Sequence, residues 1–141
     1  MYRPEDIQLG DVREYARREQ GRFFRGGSYD PHEVTSMIAL EAMLAGAEDV
    51  RISVLEGWIR VCADVDWLQG IEAEAFRGFA PLKPGSPNGV TSEFFPVVFS
   101  TSVVTATRTE ARLIKGDSAG PLDALDDAWA RVVAFEVTAD R

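Results

Sequence analysis

A single cysteine, Cys62, stands in the 141 residues, so no internal disulfide can form and a reducing compartment is expected. There is one histidine, His32, and one of each is too few for the Cys/His sets that hold zinc. Long apolar runs are missing as well. The most apolar short stretch, Phe94-Phe95-Pro96-Val97-Val98-Phe99, falls far short of the roughly 20 residues a membrane helix needs. The opening residues, Met1 to Asp6, lack the apolar centre of a signal peptide. A cytoplasmic protein without a membrane span is therefore expected. Positive charge is scarce: 15 Lys and Arg face 23 Asp and Glu, for a net charge of −8. That balance argues against nucleic acid as a partner, because phosphate affinity comes from Lys and Arg, and against anionic lipid. Mimicry of DNA by an acidic surface is disfavoured because basic residues are interspersed with the acids. Walker, Rossmann and Gly-x-Ser-x-Gly signatures are absent.

What remains is an ordinary globular composition, 45% hydrophobic and 27% charged, of a length that fits one domain spanning residues 1–141. Three tryptophans and eight phenylalanines can fill its core. Asp11 to Gln20 reads as a polar helix, with arginines 13, 17 and 18 interleaved with Glu14 and Glu19, and Gly26-Gly27-Ser28 breaks the chain. Continuing through Arg22 and Arg25, that arginine series could grip an anion, but a solvated helix is the better reading. Asp30-Pro31-His32-Glu33 sets a cap, a proline at the first helical position and a glutamate three residues after the cap. The helix that follows runs to about Ala45 and is closed by Gly46. It carries one apolar stripe of Met37, Leu40 and Leu44, and a second of Val34, Ile38 and Ala45 with Glu41 inside it.

Val50, Ile52 and Val54 alternate with Arg51 and Ser53, Glu56-Gly57 turns the chain, and Ile59 to Val65 alternates on the way back. This is an antiparallel hairpin. Trp67 to Phe79 reads as a short helix or an irregular connection, and Pro81 to Gly89 as a loop. Propensity makes much of Val90 to Lys115 strand, although Pro96 interrupts it. Asp117 to Pro121 reads as a turn. The tail alternates Trp129, Arg131, Val133, Phe135 and Val137, a final strand. The fold expected is α+β: a two-layer sandwich with a mostly antiparallel sheet covered by helices on one face.

The order of these elements resembles the gyrase B branch of the GHKL ATPases. The residues that carry the likeness are Leu40-Glu41-Ala42-Met43-Leu44-Ala45-Gly46, the strand Val50 to Val54, the strand from Trp58 to Val61, and Ser102-Val103-Val104-Thr105-Ala106 followed by Glu110 to Lys115. It spans residues 28–137 in order at low identity. The resemblance implies a GHKL-like fold in which residues 100–108 form a helix. It also implies that ATP hydrolysis is lost. Val34 and Ile38 stand where the family has its water-activating glutamate and magnesium-binding asparagine. The adenine-binding aspartate falls at Ala63, or at Asp64 with one gap, and family glycines become Val65 and Trp67. The glycine-rich phosphate loop falls on Pro96 to Phe99.

The functional expectation combines both readings. A former nucleotide pocket walled by Val34, Ile38, Ala45 and Trp67 would take an apolar small molecule. Glu41, its pKa raised if buried, and the pair Asp64 and Asp66, two apart on one strand face, would supply acid/base chemistry for a cofactor-free cyclisation or isomerisation. His32, in a first helical turn that disfavours its charged form, is a further catalytic candidate. Residual nucleotide binding without hydrolysis would need Asp64 in the adenine position. The blander readings are a solvated strand end for the two aspartates, an edge position for Glu41, an idle surface imidazole for His32 and core or interface positions for the tryptophans. The alternative function is a non-catalytic interaction protein that binds a partner or forms a homodimer.

Overall fold

The computed structural model describes residues 9–78, 91–117 and 128–137. Helix α1, Leu9–Arg18, leads into a single turn, α2, Gln20–Phe23. Helix α3, Pro31–Leu44, begins as its sequence dictates: the Asp30 side chain accepts the His32 backbone N–H at 2.9 Å, and Pro31 occupies the first turn. Glu33 does not return to the cap. Its carboxylate instead accepts the Arg25 backbone N–H, 3.3 Å from each oxygen, and so ties α3 to the segment after α2.

Strands β1, Val50–Leu55, and β2, Trp58–Ala63, form the expected hairpin, in register from Val50↔Ala63 to Leu55↔Trp58. Glu56 and Gly57 both take positive φ, 49° and 86°, the two-residue turn whose twist matches a hairpin. Helix α4, Glu72–Arg77, lies inside the stretch read as a short helix or connection. It ends at Gly78, where φ is 93° and a Cβ would meet the Phe94 ring. After helix α5, Phe94–Phe99, come strands β3, Val103–Ala106, β4, Ala111–Lys115, and β5, Arg131–Glu136. The five strands form one antiparallel sheet in the order β1-β2-β5-β3-β4.

Two expectations are corrected here. The helix that the resemblance places at residues 100–108 is absent, because Val103–Ala106 is strand β3, paired on both sides. The strand propensity of residues 94–99 is also overridden. Short apolar runs fit a buried helix as readily as a buried strand, and Pro96 sits in the first turn of α5, where a missing N–H costs nothing. All six residues of α5 are buried. The loop read at residues 81–89 and most of the 117–121 turn lie outside the described residues.

One face of the sheet presents Ile59, Val61, Ala63, Val103, Val133 and Phe135 to Val34, Ile38 and Ala42 of α3 and to the phenylalanines of α5. Each large apolar side chain buried this way contributes about 1.5–3 kcal/mol. Phe23 and Phe24 pack against Phe95, and Phe24, Tyr29 and Phe99 pack edge-on or stacked against one another. The opposite face also holds buried side chains, Trp58, Cys62, Val104, Val132 and Ala134 among them. Helix α3 lies over β1 and β2. No described helix is long and apolar enough to cross a membrane.

Tyr29 gives the packing a pH signature. Burial first, with a smaller contribution from Asp30, pushes its phenol from 10.0 up to about 12, against a hydrogen-bond interaction with Ser100 that lowers it. The folded chain therefore keeps a proton that the unfolded chain releases near pH 10. This stabilisation is complete below pH 10 and is lost as pH rises towards about 12. Urea midpoints measured from pH 9 to 12 are expected to fall over that window, and Tyr29→Phe to flatten the fall. An equal fall in the variant would assign it to other groups.

Candidate functional site

The residues expected to do chemistry do not converge. His32 is exposed at the start of α3, beside an open groove of about 510 Å3 whose other polar walls include Arg25, Asp30 and Glu33. The two carboxylates there are already engaged, Asp30 as the helix cap and Glu33 on the Arg25 N–H. Glu41 is buried, 2% exposed, and accepts the Ser92 backbone N–H at 3.4 Å. It lies in the core, not at the solvent edge.

Asp64 and Asp66 do not act as a pair. Strand β2 stops at Ala63, and beyond it Asp64 accepts the Glu48 N–H at 3.1 Å, joining the two ends of the hairpin. Asp66 instead accepts the Leu68 N–H and a two-pronged grip from Arg131, Nε to Oδ1 at 2.7 Å and Nη2 to Oδ2 at 3.1 Å. Of the expected pocket wall, Val34 and Ile38 have no exposed surface, and Ala45 is exposed past the end of α3. Trp67 is buried and donates its indole N–H to Glu93 at 3.1 Å. Among the described residues, no group of three or more His, Cys, Asp or Glu side chains could hold a metal ion.

The strongest polar constellation holds one of the expected site residues, Asp66, but its centre, Arg131, was not among them. Arg131 is 3% exposed. It grips Asp66, donates through Nη1 to Glu72 and to Thr105 Oγ1, the latter at 3.1 Å, and shares Glu72 with Arg112, whose Nη1 is 3.1 Å from Oε2. Burial alone would lower the Arg131 pKa; hydrogen bonds and charge from Asp66 and Glu72 outweigh it and hold the guanidinium above its ordinary value. Both carboxylates are thereby committed to structure: they fasten the β2–α4 connection to the end of the sheet. The one signal in the sequence was the alternation of the tail, which puts Arg131 in phase with the buried Val133 and Phe135.

The most distinctive surface is the β1 edge. Among the described residues, eight large apolar side chains are exposed, and six of them lie on α3 and β1: Leu40, Met43, Leu44, Ile52, Val54 and Leu55, at 47–63% exposure. Of the α3 stripe Met37, Leu40 and Leu44, Met37 is half-buried against the core while Leu40 and Leu44 are exposed. The hydrogen-bond phase of the hairpin is fixed by the Leu55↔Trp58 pair closing the turn and the Asp64 N–H donating to Asp49 C=O. Residues 51, 53 and 55 therefore direct their N–H and C=O groups to β2, while Val50, Ile52 and Val54 direct theirs outward from the sheet. Natural edges are blunted by charge or bulges. Strand β4, the other edge, has both: Arg112, Lys115 and an irregular register against β3. Strand β1 is regular throughout, and its one charged residue, Arg51, lies over the Trp129 ring, 5.4 Å from the centroid.

Compared with family models, curated proteins and solved structures, the chain matches none. The gyrase-type likeness rests on the residues quoted for it alone.

Proposed function

We propose that the chain is a non-catalytic interaction domain that pairs with a second copy of itself through β1, in a reducing, cytoplasmic setting that keeps the buried Cys62 a thiol. The observation that carries this reading is the unguarded β1 edge, with Ile52 and Val54 half or more exposed beside outward-facing backbone groups. Acid/base catalysis has no comparable support, since Asp66 is held by Arg131 and Glu41, Asp64 and His32 lie apart with separate roles.

The geometry of an antiparallel pair selects the register. A two-fold axis perpendicular to the sheet keeps each residue on its own face, so outward-facing residues pair only with outward-facing ones. An axis through Ile52 sets Ile52 against Ile52 and Val50 against Val54, so that all three pairs are apolar. It also places Arg51 opposite Ser53, so no like charges meet. An axis through Ser53 would instead set Val50 against Glu56. Edge pairing alone is smaller than the roughly 800 Å2 per partner of a standard interface, so the reading also requires the exposed outer side of α3.

Cross-linking tests this register. Directly opposed residues at a hydrogen-bonded pair stand about 5.5 Å apart at Cα, a spacing that suits a disulfide. Ile52→Cys is expected to oxidise to a covalent dimer faster than Val54→Cys, whose counterpart is Val50. Equal rates, or no covalent dimer from either variant, would refute the pairing.

A further inference from the structure

We infer a second, separate role for a cleft where α1, α4 and α5 meet β4: the cleft of Arg13, Arg77 and Arg112 binds a small oxyanion carried on an apolar body. The cleft encloses about 260 Å3, with Phe76 and Val97 among its apolar walls. That is below the roughly 300 Å3 at which pockets for drug-sized molecules begin, so the ligand is small.

The case turns on how the arginines are used. On α1, Arg17 donates to the Val98 C=O at 3.2 Å. One turn earlier, Arg13 lines the cleft together with Val97 of α5, but its Nε is buried and has no hydrogen-bond acceptor among the described residues. Buried polar atoms are nearly always paired, and a guanidinium offers donors only, so what is missing there is an acceptor. Arg77, exposed at the end of α4, has no carboxylate partner among the described residues. Glu72, the one acid among the described residues that line the cleft, is taken up by Arg131 and Arg112. Arg13 and Arg77 thus add positive charge that the described residues of the cleft do not neutralise, in a chain whose net charge is −8.

Guanidinium forks match the paired oxygens of carboxylates and phosphates, and Phe76 and Val97 supply an apolar wall for the rest of the molecule. No catalytic step is implied, because the single acid among the described lining residues is bound to two guanidiniums. This site is independent of pairing through β1.

The test is titration of the full-length chain with benzoate, phenyl phosphate and neutral benzamide, followed by calorimetry and ligand-observed NMR. Saturable binding of either anion is expected, weakened at least about tenfold in Arg13→Met and Arg77→Met through loss of a charge-assisted contact. Preference between the two anions identifies the ligand as a carboxylate or a phosphate ester. Arg77 is exposed, so its variant keeps the test decisive should Arg13→Met fold poorly. Binding of neither anion, equal binding of benzamide, or undiminished binding by Arg77→Met would overturn the assignment.

Discussion

Replacing Arg131 with alanine is expected to lower the unfolding free energy by about 3 kcal/mol, the low end of the cost of breaking a buried ion pair. The low end applies because the Asp66 and Glu72 side chains keep about a fifth of their surface exposed, 23% and 21%, and regain some water. For a chain of this length the melting temperature should fall by roughly 10 °C. The comparison that makes this informative is Arg112→Ala. Arg112 shares Glu72 but is 54% exposed, so its loss should cost no more than about 1 kcal/mol. Thermal and urea unfolding of the two variants checks both values. Equal effects would mean that the cluster does not fasten the β2–α4 connection to the sheet. The Arg131 end of the cluster should not titrate near neutrality. Its pKa is raised above an already high value, so its contribution is complete below the ordinary guanidinium range and is lost only above it.

Ile38→Ala is expected to cost about 3 kcal/mol, within the range for truncating a large aliphatic side chain in a core. This prediction separates two uses of α3. The gyrase-type resemblance would have Val34 and Ile38 line a ligand pocket, where truncation enlarges a cavity that is already open and destabilises little. The packed structure leaves both side chains without exposed surface, against β2 and α5, where truncation creates a void. A loss under about 1 kcal/mol in urea unfolding would restore the pocket.

Much of the fold was legible because local chemistry and tertiary packing agree. Asp30-Pro31 fixes the start of α3, Glu56-Gly57 fixes the hairpin, and the alternation of residues 129–137 marks β5, each through backbone preferences that act over a few residues. Residues 94–99 were not legible. Their apolar composition suits strand or buried helix equally, and only packing among α1, α3 and α4 decides between them. The resemblance misplaced β3 for the converse reason: a likeness of letters at Ser102 to Ala106 carried a helix into a segment whose β-branched residues pair with two strands.

The polar sites were harder still. Asp66, Glu72, Thr105, Arg112 and Arg131 come from separate elements, up to 65 residues apart where Arg131 meets Asp66, and nothing local announces their meeting. Asp64 and Asp66 looked paired by spacing, yet the strand ends before either, so the two-residue period no longer applies. The exposed edge was half visible. Alternation identified Val50, Ile52 and Val54 as one face of a strand, but not that β1 would lie at the margin of the sheet with that face uncovered at Ile52 and Val54.

Self-association through β1 is tested most directly by sedimentation equilibrium of the unmodified chain, at concentrations up to about 100 µM, well above the micromolar range of modest protein pairs. The account predicts a mass twice that of the 15.5 kDa chain, returning to the single-chain value when Ile52 and Val54 are both changed to lysine. A single-chain mass across the whole range, or a dimer untouched by those substitutions, would contradict it.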